Sequence, residues 1–171
     1  MTVSENKLSD AFLQHLADNK GILYKVARSY KRDEEEVKDL IQEITFQVWK
    51  AYPGYKPTLK FSTWLYRIAL NVAISSYRKE SKRAAINTMM DDRFVEIAAP
   101  AETALNENVR QLYALISEFK HFDRALMLLY LEEKSYAEIA TIMGITVSNV
   151  ATKLNRLKNT LKDKFTLLNQ K

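Results

Sequence analysis

The sequence contains no cysteine and only three glycines and three prolines among its 171 residues. The lack of cysteine excludes a disulfide framework, a thiolate zinc site and a cysteine nucleophile. The scarcity of glycine and proline argues against a β-sandwich, whose many turns depend on them. No apolar run approaches the roughly 18 residues of a membrane span, and the opening MTVSENKLSD lacks the basic and apolar segments of a secretory signal. We therefore expect a cytoplasmic protein that does not insert into membranes.

Apolar patterns with the period of an α-helix run through most of the chain. Hydrophobic residues make up 47% of the sequence, which is enough to build packed cores. They recur at positions i, i+3, i+4 and i+7, as along the buried face of a helix. The segment 84–100 loses this period and ends at Pro100. The pattern predicts an all-α protein of two small helical domains, residues 5–83 and 101–168, joined by a flexible linker over 84–100.

Capping residues, glycine and proline predict where the helices begin and end. We expect a first helix from Ser9, a second from Gly21 to Tyr30, and a third that Asp33 and Glu36 cap as a capping box. The sequence YPGYKP ends the third helix as a loop. The remaining helices are predicted at 60–79, 101–118, 121–131, 135–143 and 147–166.

Basic residues are concentrated in two separate blocks, although the net charge is only +5. Residues 50–83 carry eight basic and one acidic side chain, and residues 134–171 carry seven and two. The intervening stretch 84–133 is acidic, with four basic and nine acidic side chains. This distribution favours two contacts with a polyanion such as a nucleic acid, although solvated helix faces would give the same blocks.

The stretch SYAEIATIMGITVSNVATKL has the spacing of a helix-turn-helix. Ser135 and Glu138 predict a capping box, and Gly144 supplies the positive φ of a tight turn. Ala140 precedes this glycine by four positions and Val150 follows it by six, as in that motif. An ordinary helical hairpin with a glycine cap is the alternative. In a helix-turn-helix, the side chains facing a DNA major groove would be Ser148, Asn149, Thr152, Lys153 and Arg156.

The third predicted helix carries a polar face with aromatic residues in it. In DLIQEITFQVW, the residues Asp39, Gln42, Glu43 and Phe46 fall on one side, opposite the apolar positions. A solvated amphipathic face has the same pattern. However, Phe46 and Trp49 among carboxylates also resemble a docking surface for a basic helical partner, so both interpretations stay open.

The helix predicted at 60–79 carries a mostly polar column beside a basic loop. Trp64, Arg67 and Asn71 recur at helical spacing, and Tyr55 lies in the loop before them. An aromatic ring, cations and a carboxamide are the groups that hold single-stranded bases. Alternatively, Trp64 and Tyr66 close the core, as most aromatic residues in helices do.

The sequence shows no catalytic constellation. His15 and His121 are far apart in sequence, and neither has metal-ligand spacing around it. The four acidic residues 33–36 lie at the N-terminus of a predicted helix, where the positive end of the helix macrodipole stabilises negative charge. The chain has neither a phosphate-binding glycine loop nor a Gly-x-Ser-x-Gly motif. We therefore expect neither an enzyme nor a protein that holds a metal or cofactor.

Four stretches, in order, resemble the extracytoplasmic-function (ECF) group of bacterial sigma-70-family sigma factors. They are DLIQEITFQVW, YPGYKPTLKFSTW, LYRIALNVAISSYRK and SYAEIATIMGITVSNVATKLNRLK. The resemblance implies that residues 5–83 form region two, which docks on core RNA polymerase and recognises and melts the minus-ten promoter element. It also implies that residues 101–168 form region four, a helix-turn-helix that recognises the minus-thirty-five element.

The resemblance also implies roles for individual residues. In this family region two docks on the clamp helices of the polymerase β′ subunit and captures a flipped non-template base. The implied core-polymerase contacts are Asp39, Leu40, Gln42, Glu43 and Phe46. The implied minus-ten contacts are Tyr55, Lys56, Thr58, Leu59, Lys60, Trp64, Arg67 and Asn71. The implied minus-thirty-five contacts are Ser148, Asn149, Thr152, Lys153 and Arg156. Many relatives have a basic residue where this chain has Ala151, so base preference there does not carry over.

The implied function is that of an alternative sigma factor, which directs core polymerase to one promoter class and helps open the DNA. Its partners would be core RNA polymerase, through the β′ clamp helices and the β subunit, promoter DNA, and an anti-sigma factor, often anchored in the inner membrane. A stand-alone helix-turn-helix transcription regulator is the main rival, but it leaves the faces around Asp39 and Trp64 unexplained. A third possibility, a binding module without a DNA role, would have to treat the two basic blocks as accidental.

Overall fold

Seven α-helices and one 3-10 turn make up the part of the chain that the structure describes. The structure is a computed structural model that describes the backbone of residues 3–87 and 107–168 and the side chains of residues 10–83, 111–112 and 114–167. The helices are α1 (Val3–Tyr30), α2 (Glu34–Ala51), α3 (Phe61–Asn87), α4 (Glu107–Ser117), α5 (His121–Leu131), α6 (Tyr136–Met143) and α7 (Val147–Leu168), and the 3-10 turn is Tyr52–Gly54. Within these residues there is no strand, so the all-α prediction is confirmed. None of the helices described is long and apolar enough to cross a membrane.

Helix α1 is one continuous helix where the sequence predicts two. It begins at Val3 instead of Ser9, and the break expected at Gly21 is wrong, because that residue has helical backbone. A glycine inside a helix costs about 1 kcal/mol relative to alanine. The cost is offset because Phe12 and Val26, on either side of the glycine, are both buried in the core that α1 forms with α2 and α3. Tertiary packing therefore overrides the local preference.

The first three helices enclose one apolar core. Asp33 makes the N-cap half of the predicted capping box of α2, since its side chain accepts hydrogen bonds from the backbone N–H groups of Glu35 and Glu36 at 2.9 and 3.3 Å. Ile44 on α2 and Leu65 on α3 are fully buried. Helix α3 continues to Asn87, so it extends four residues into the segment predicted as a linker. The rest of that segment, and the predicted start of the next helix at 101–106, lie outside the described residues.

The last four helices form the second domain, with α6 and α7 as a helix-turn-helix. Ser135 and Glu138 make both halves of the predicted capping box, and burial of Ile139, Val150 and Leu154 packs the two helices on α5. Gly144 ends α6 with φ of 67°, the left-handed conformation that the sequence predicts. In this motif the capping residues, the glycine turn and the buried apolar residues therefore all lie where the sequence predicts them.

The two domains lie directly against each other. Helix α3 of the first domain contacts α5 and α6 of the second. Lys25 on α1 also reaches Glu132, at the carboxyl end of α5, with its ammonium 2.6 Å from the carboxylate. This contact therefore fixes the position of one domain relative to the other.

Replacing Ser135 with alanine removes the capping box of α6. We expect Ser135→Ala to lower the free energy of unfolding by about 1 kcal/mol, because the backbone N–H of Glu138 loses its acceptor. Chemical denaturation followed by circular dichroism measures the change. Ser75→Ala, at an exposed position inside α3, is the control and should change stability by less than about 0.5 kcal/mol. Equal stability of Ser135→Ala and the wild type would contradict the capping role.

Candidate functional site

The polar face predicted on α2 is exposed. Asp39, Gln42 and Glu43 are exposed, and Phe46 presents 58% of its surface to solvent. An exposed phenylalanine among acidic and amide side chains is unusual on a helix face whose only contact is with solvent. Leu40, which the family resemblance also implies as a contact, is 4% exposed and packs in the core. Leu40 supports the helix from beneath and has no surface to offer a partner.

Two further apolar side chains are exposed near this face. Trp49 is 43% exposed, and its ring packs edge-on against Phe12 of α1 with the ring centres 4.8 Å apart. Leu13, the next residue on α1, is 57% exposed and was not predicted as part of any site. In the sequence, Leu13 is recognisable as an apolar residue that does not fall on the helical spacing shared by the buried residues of α1. We name Asp39, Gln42, Glu43, Phe46 and Trp49 the α2 face.

An aromatic cluster holds the end of α2, the following loop and the start of α3 together. Tyr55 lies 5.0 Å from Trp64 and 5.4 Å from Phe61, measured between ring centres. His15 of α1 stacks on Phe61 with the ring centres 4.7 Å apart. Trp64 is only half-buried, whereas Tyr66 is 2% exposed. Tyr66 is buried where the two domains meet, with its hydroxyl 3.4 Å from the Glu132 carboxylate, while Trp64 packs in the cluster and keeps part of its ring accessible.

The loop between α2 and α3 is folded by its own hydrogen bonds. The Tyr55 hydroxyl donates to the carbonyl oxygen of Leu59 at 2.8 Å, and the Leu59 N–H donates to the carbonyl oxygen of Lys56 at 3.2 Å. These bonds leave Lys56, Thr58 and Lys60 exposed around a half-buried Leu59. A loop held in one shape loses little entropy when it binds a ligand.

The polar column of α3 continues the loop surface. Arg67 and Asn71 are exposed, as the helical spacing predicts. Asn71 lies eleven positions after Lys60, the residue before α3, so at a rise of 1.5 Å per position the two are about 16 Å apart along the helix axis. The loop and this column together form one surface with an aromatic edge, several cations and a carboxamide, and we call it the α3 surface.

The second helix of the helix-turn-helix exposes most of its predicted contacts. Ser148, Asn149, Thr152 and Arg156 are exposed, and Thr152 donates its hydroxyl proton to the Ser148 carbonyl oxygen at 3.0 Å. Lys153 is partly withdrawn, since its ammonium lies 3.9 Å from the carboxylate of Asp123 and 5.5 Å from the ring centre of Phe122. We call these five residues, including the partly withdrawn Lys153, the α7 surface.

Thr146 caps the start of α7, a role that none of the sequence-based predictions includes. Its hydroxyl accepts a hydrogen bond from the N–H of Asn149 at 3.2 Å, at the start of α7. A threonine three residues before Asn149 and directly before the helix is the usual signal of an N-cap. The cap fixes the first turn of α7, from which Ser148 and Asn149 project.

Both domains match known families. Residues 16–83 match the family described as Sigma-70 region 2, and residues 105–161 match Sigma-70, region 4. The ECF RNA polymerase sigma-E factor of Escherichia coli (strain K12) is 29% identical over 140 residues, which cover 75% of this chain and 73% of that protein. The ECF RNA polymerase sigma factor SigX of Bacillus subtilis (strain 168) is 26% identical over 155 residues, which cover 86% and 80%.

Solved structures share the fold. The sigma factor RpoE from Bartonella quintana, in complex with the anti-sigma factor NepR, has a TM-score of 0.73 at 19% identity and covers 90% of this chain and 95% of its own. CnrH, in complex with the cytosolic domain of CnrY, has a TM-score of 0.66 at 21% identity, with 93% and 90% covered. A stand-alone helix-turn-helix regulator would leave the match to region 2 unexplained. The chain belongs to the sigma-70 family and is an RNA polymerase sigma factor of the ECF type.

Proposed function

We propose that this sigma factor divides its work between its two domains, with residues 5–83 acting as region two, 84–100 as the linker and 101–168 as region four. The protein acts in the cytoplasm and is not itself an enzyme. It binds core polymerase, selects one promoter class and helps open the DNA. The observation that carries this proposal is the succession of the two family matches on one chain, each over a domain with an exposed polar surface.

The α2 face is the proposed docking surface for the clamp helices of the polymerase β′ subunit. Asp39 and Glu43 supply negative charge, and Phe46 supplies an exposed ring, which suits a partner helix with basic and apolar residues. Trp49 extends the apolar part of the face. Leu40 is not included, because its side chain is buried.

The α3 surface is proposed to bind the minus-ten element and to hold it open. Extruding a base costs a few kcal/mol, whereas stacking a base on an aromatic ring returns about 1–3 kcal/mol. The hydrogen bond of the Tyr55 hydroxyl already orders the loop, so binding loses little conformational entropy in the loop and most of the stacking free energy offsets the cost of extruding the base. Asn71 provides a carboxamide for a base edge, and the exposed Arg67 and the partly exposed ring of Trp64 lie beside it, toward the duplex.

The α7 surface is proposed to read the minus-thirty-five element in the major groove, in contact with the β subunit side of the polymerase. Arg156 supplies a cation, and Ser148 and Asn149 supply short polar groups on the capped first turn. Lys153 is the weakest member of the set, because it must first leave Asp123. No base preference is assigned at Ala151.

An anti-sigma factor is a further proposed partner. The sigma factor RpoE was solved in complex with the anti-sigma factor NepR, and CnrH was solved in complex with the cytosolic domain of CnrY. By analogy, a protein that covers the α2 face would compete with core polymerase, and in this group such proteins are often anchored in the inner membrane.

Reversing the charge of the α2 face should abolish docking. We expect Asp39→Arg with Glu43→Arg to weaken core polymerase binding at least about tenfold, because like charges would face a basic partner. Binding of labelled protein to purified core measures the loss. Glu118→Arg with Asp163→Arg, the same charge change on the second domain, should leave core binding unchanged. Wild-type affinity in the Asp39/Glu43 variant would refute the docking surface.

Removing the Asn71 carboxamide should impair promoter opening more than promoter capture. We expect Asn71→Ala to lower the amount of open complex about tenfold, since one base-edge contact is worth about 1–3 kcal/mol. Permanganate reactivity of unpaired thymines measures opening, and gel retardation measures capture. Asn159→Ala, an exposed amide on α7 outside the proposed contacts, is the control. An equal loss in both assays would argue against base capture by Asn71.

Removing Arg156 should reduce both duplex affinity and its dependence on salt. A phosphate contact releases a counterion, so we expect Arg156→Ala to reduce the slope of log affinity against log salt by about 1. Titrations of holoenzyme with promoter DNA at several salt concentrations give this slope. Lys162→Ala, an exposed basic residue further along α7, should leave the slope unchanged. A wild-type slope in the Arg156 variant would show that Arg156 does not contact a phosphate.

A further inference from the structure

Val147 is an exposed apolar side chain at the first position of α7. It presents 49% of its surface to solvent, directly after the capping residue Thr146. The neighbouring apolar residues Ile145 and Val150 pack on the core of the second domain, but Val147 does not. A β-branched residue also has a lower helix propensity than alanine. Neither the cap, the core nor the stability of the helix therefore accounts for a valine at this position.

Ala151 lies one turn further along α7, on the same side of the helix as Val147. Positions i and i+4 of a helix lie one above the other, so the alanine continues the column that the valine begins. Ala151 is partly exposed, and its side chain is a single methyl group. Both side chains are therefore accessible and apolar. We call Val147 and Ala151 the apolar pair.

The apolar pair lies beside the side chains that are proposed to enter the major groove. Ser148 and Thr152 each directly follow one member of the pair along the chain, and both are exposed. The N-terminal residues of a recognition helix are the ones that contact base edges in helix-turn-helix proteins. The hydrogen bond from the Asn149 N–H to the Thr146 hydroxyl fixes this first turn, so Val147 is held in place before DNA binds.

The first three turns of α7 are poor in cations that could read a guanine. Arginine or lysine bonded to O6 and N7 is the commonest specific contact to that base. Residues 147–157 contain two basic side chains, Lys153 and Arg156. The Lys153 ammonium lies 3.9 Å from the Asp123 carboxylate and 5.5 Å from the ring centre of Phe122. Arg156 is the residue proposed above to contact a phosphate. Guanine therefore has no assigned cation in this part of α7.

The hydroxyl groups beside the apolar pair carry little sequence information. Serine and threonine hydroxyls bond to more than one kind of base, because they can both donate and accept. The Thr152 hydroxyl also donates its proton to the Ser148 carbonyl oxygen at 3.0 Å, so it can offer a base only an acceptor. The apolar pair makes a sharper distinction between base pairs than these hydroxyls do.

Thymine is the base that presents an apolar group in the major groove. Its 5-methyl group projects into that groove, whereas the other three bases are read there through hydrogen-bond donors and acceptors. A thymine methyl group packed on Val147 and Ala151 would remove apolar surface of both partners from water. A guanine at the same place would leave its O6 and N7 acceptors without a donor. The pair therefore favours one base and disfavours another.

We propose that Val147 and Ala151 read a thymine methyl group in the minus-thirty-five element. The proposal rests on the proposed assignment of α7 to that element. Many relatives have a basic residue where this chain has Ala151, and a basic residue suits a guanine. The apolar pair moves the preference at this position of the element from a G·C to an A·T base pair.

Replacing thymine with uracil tests the contact, because uracil lacks only the methyl group. Holoenzyme, made of core polymerase and the whole chain, is first used to select promoter duplexes from a pool with a randomised minus-thirty-five region. Each thymine of the selected element is then replaced in turn by deoxyuridine. We expect one replacement to weaken holoenzyme binding about fourfold, the effect of one buried carbon group. Equal binding of every uracil duplex would overturn the proposal.

Replacing Val147 with serine should remove the preference for thymine over uracil. The Val147→Ser variant keeps the helix and its cap, but it has no apolar surface for the methyl group. Leu167→Ser is the matched control, since Leu167 is 65% exposed on the same helix. It lies about 30 Å further along at 1.5 Å per residue, so the control should keep the fourfold preference. A full preference in Val147→Ser would assign the methyl contact to another residue and overturn the proposal.

Adding a cation at Ala151 should create a guanine contact. We expect Ala151→Arg to bind duplexes with G·C in place of A·T at the uracil-sensitive position at least about fivefold more tightly, because the guanidinium can donate to O6 and N7. The same selection and titrations measure this change. An unchanged preference for A·T in the variant would place Ala151 away from the base edges and overturn its part in the apolar pair.

The selection also separates this proposal from the function on which it rests. If the wild-type holoenzyme enriches no minus-thirty-five sequence, the assignment of α7 to that element is wrong. If it enriches an element that contains no thymine, or one that tolerates uracil at every thymine, the assignment stands and the methyl contact is wrong. If one thymine is sensitive to uracil in the wild type and insensitive in Val147→Ser, both the assignment and the contact stand.

Discussion

Helix α3 faces three different surroundings: the core of the first domain, solvent and the second domain. Each face must carry side chains suited to its surroundings at the same helical spacing, and most of the structure depends on this constraint. Leu65 and Ala69 face the core of the first domain and are fully buried. Asn71 faces solvent on the proposed DNA-binding side. Tyr66 and Tyr77 face the second domain, where they meet the Glu132 carboxylate and the Arg124 guanidinium. Because successive faces are about 100° apart, a change of register by one residue would exchange the core face for a binding face.

The aromatic cluster explains why the two interpretations of Trp64 are both partly right. A ring that only closed the core would be fully buried, and a ring that only stacked on a base would need no neighbours. Trp64 instead packs on Tyr55 and Phe61 and keeps part of its surface exposed. The cluster therefore holds both the loop and the indole in place before DNA arrives, which lowers the entropy lost on binding.

Periodicity and capping chemistry predict the elements of this fold because each depends on residues close in sequence. Ser135 and Gly144 are clear examples, since a cap and a left-handed turn act within four residues. Gly21 and Leu40 show the limit: tertiary packing keeps the first in a helix, and the second is buried although the family resemblance placed it at a contact. The contact between domains lies beyond local reasoning, since Tyr30 and His121 are 91 residues apart. Its one local signal is Arg124, a charged residue directly before the apolar stretch ALMLLYL.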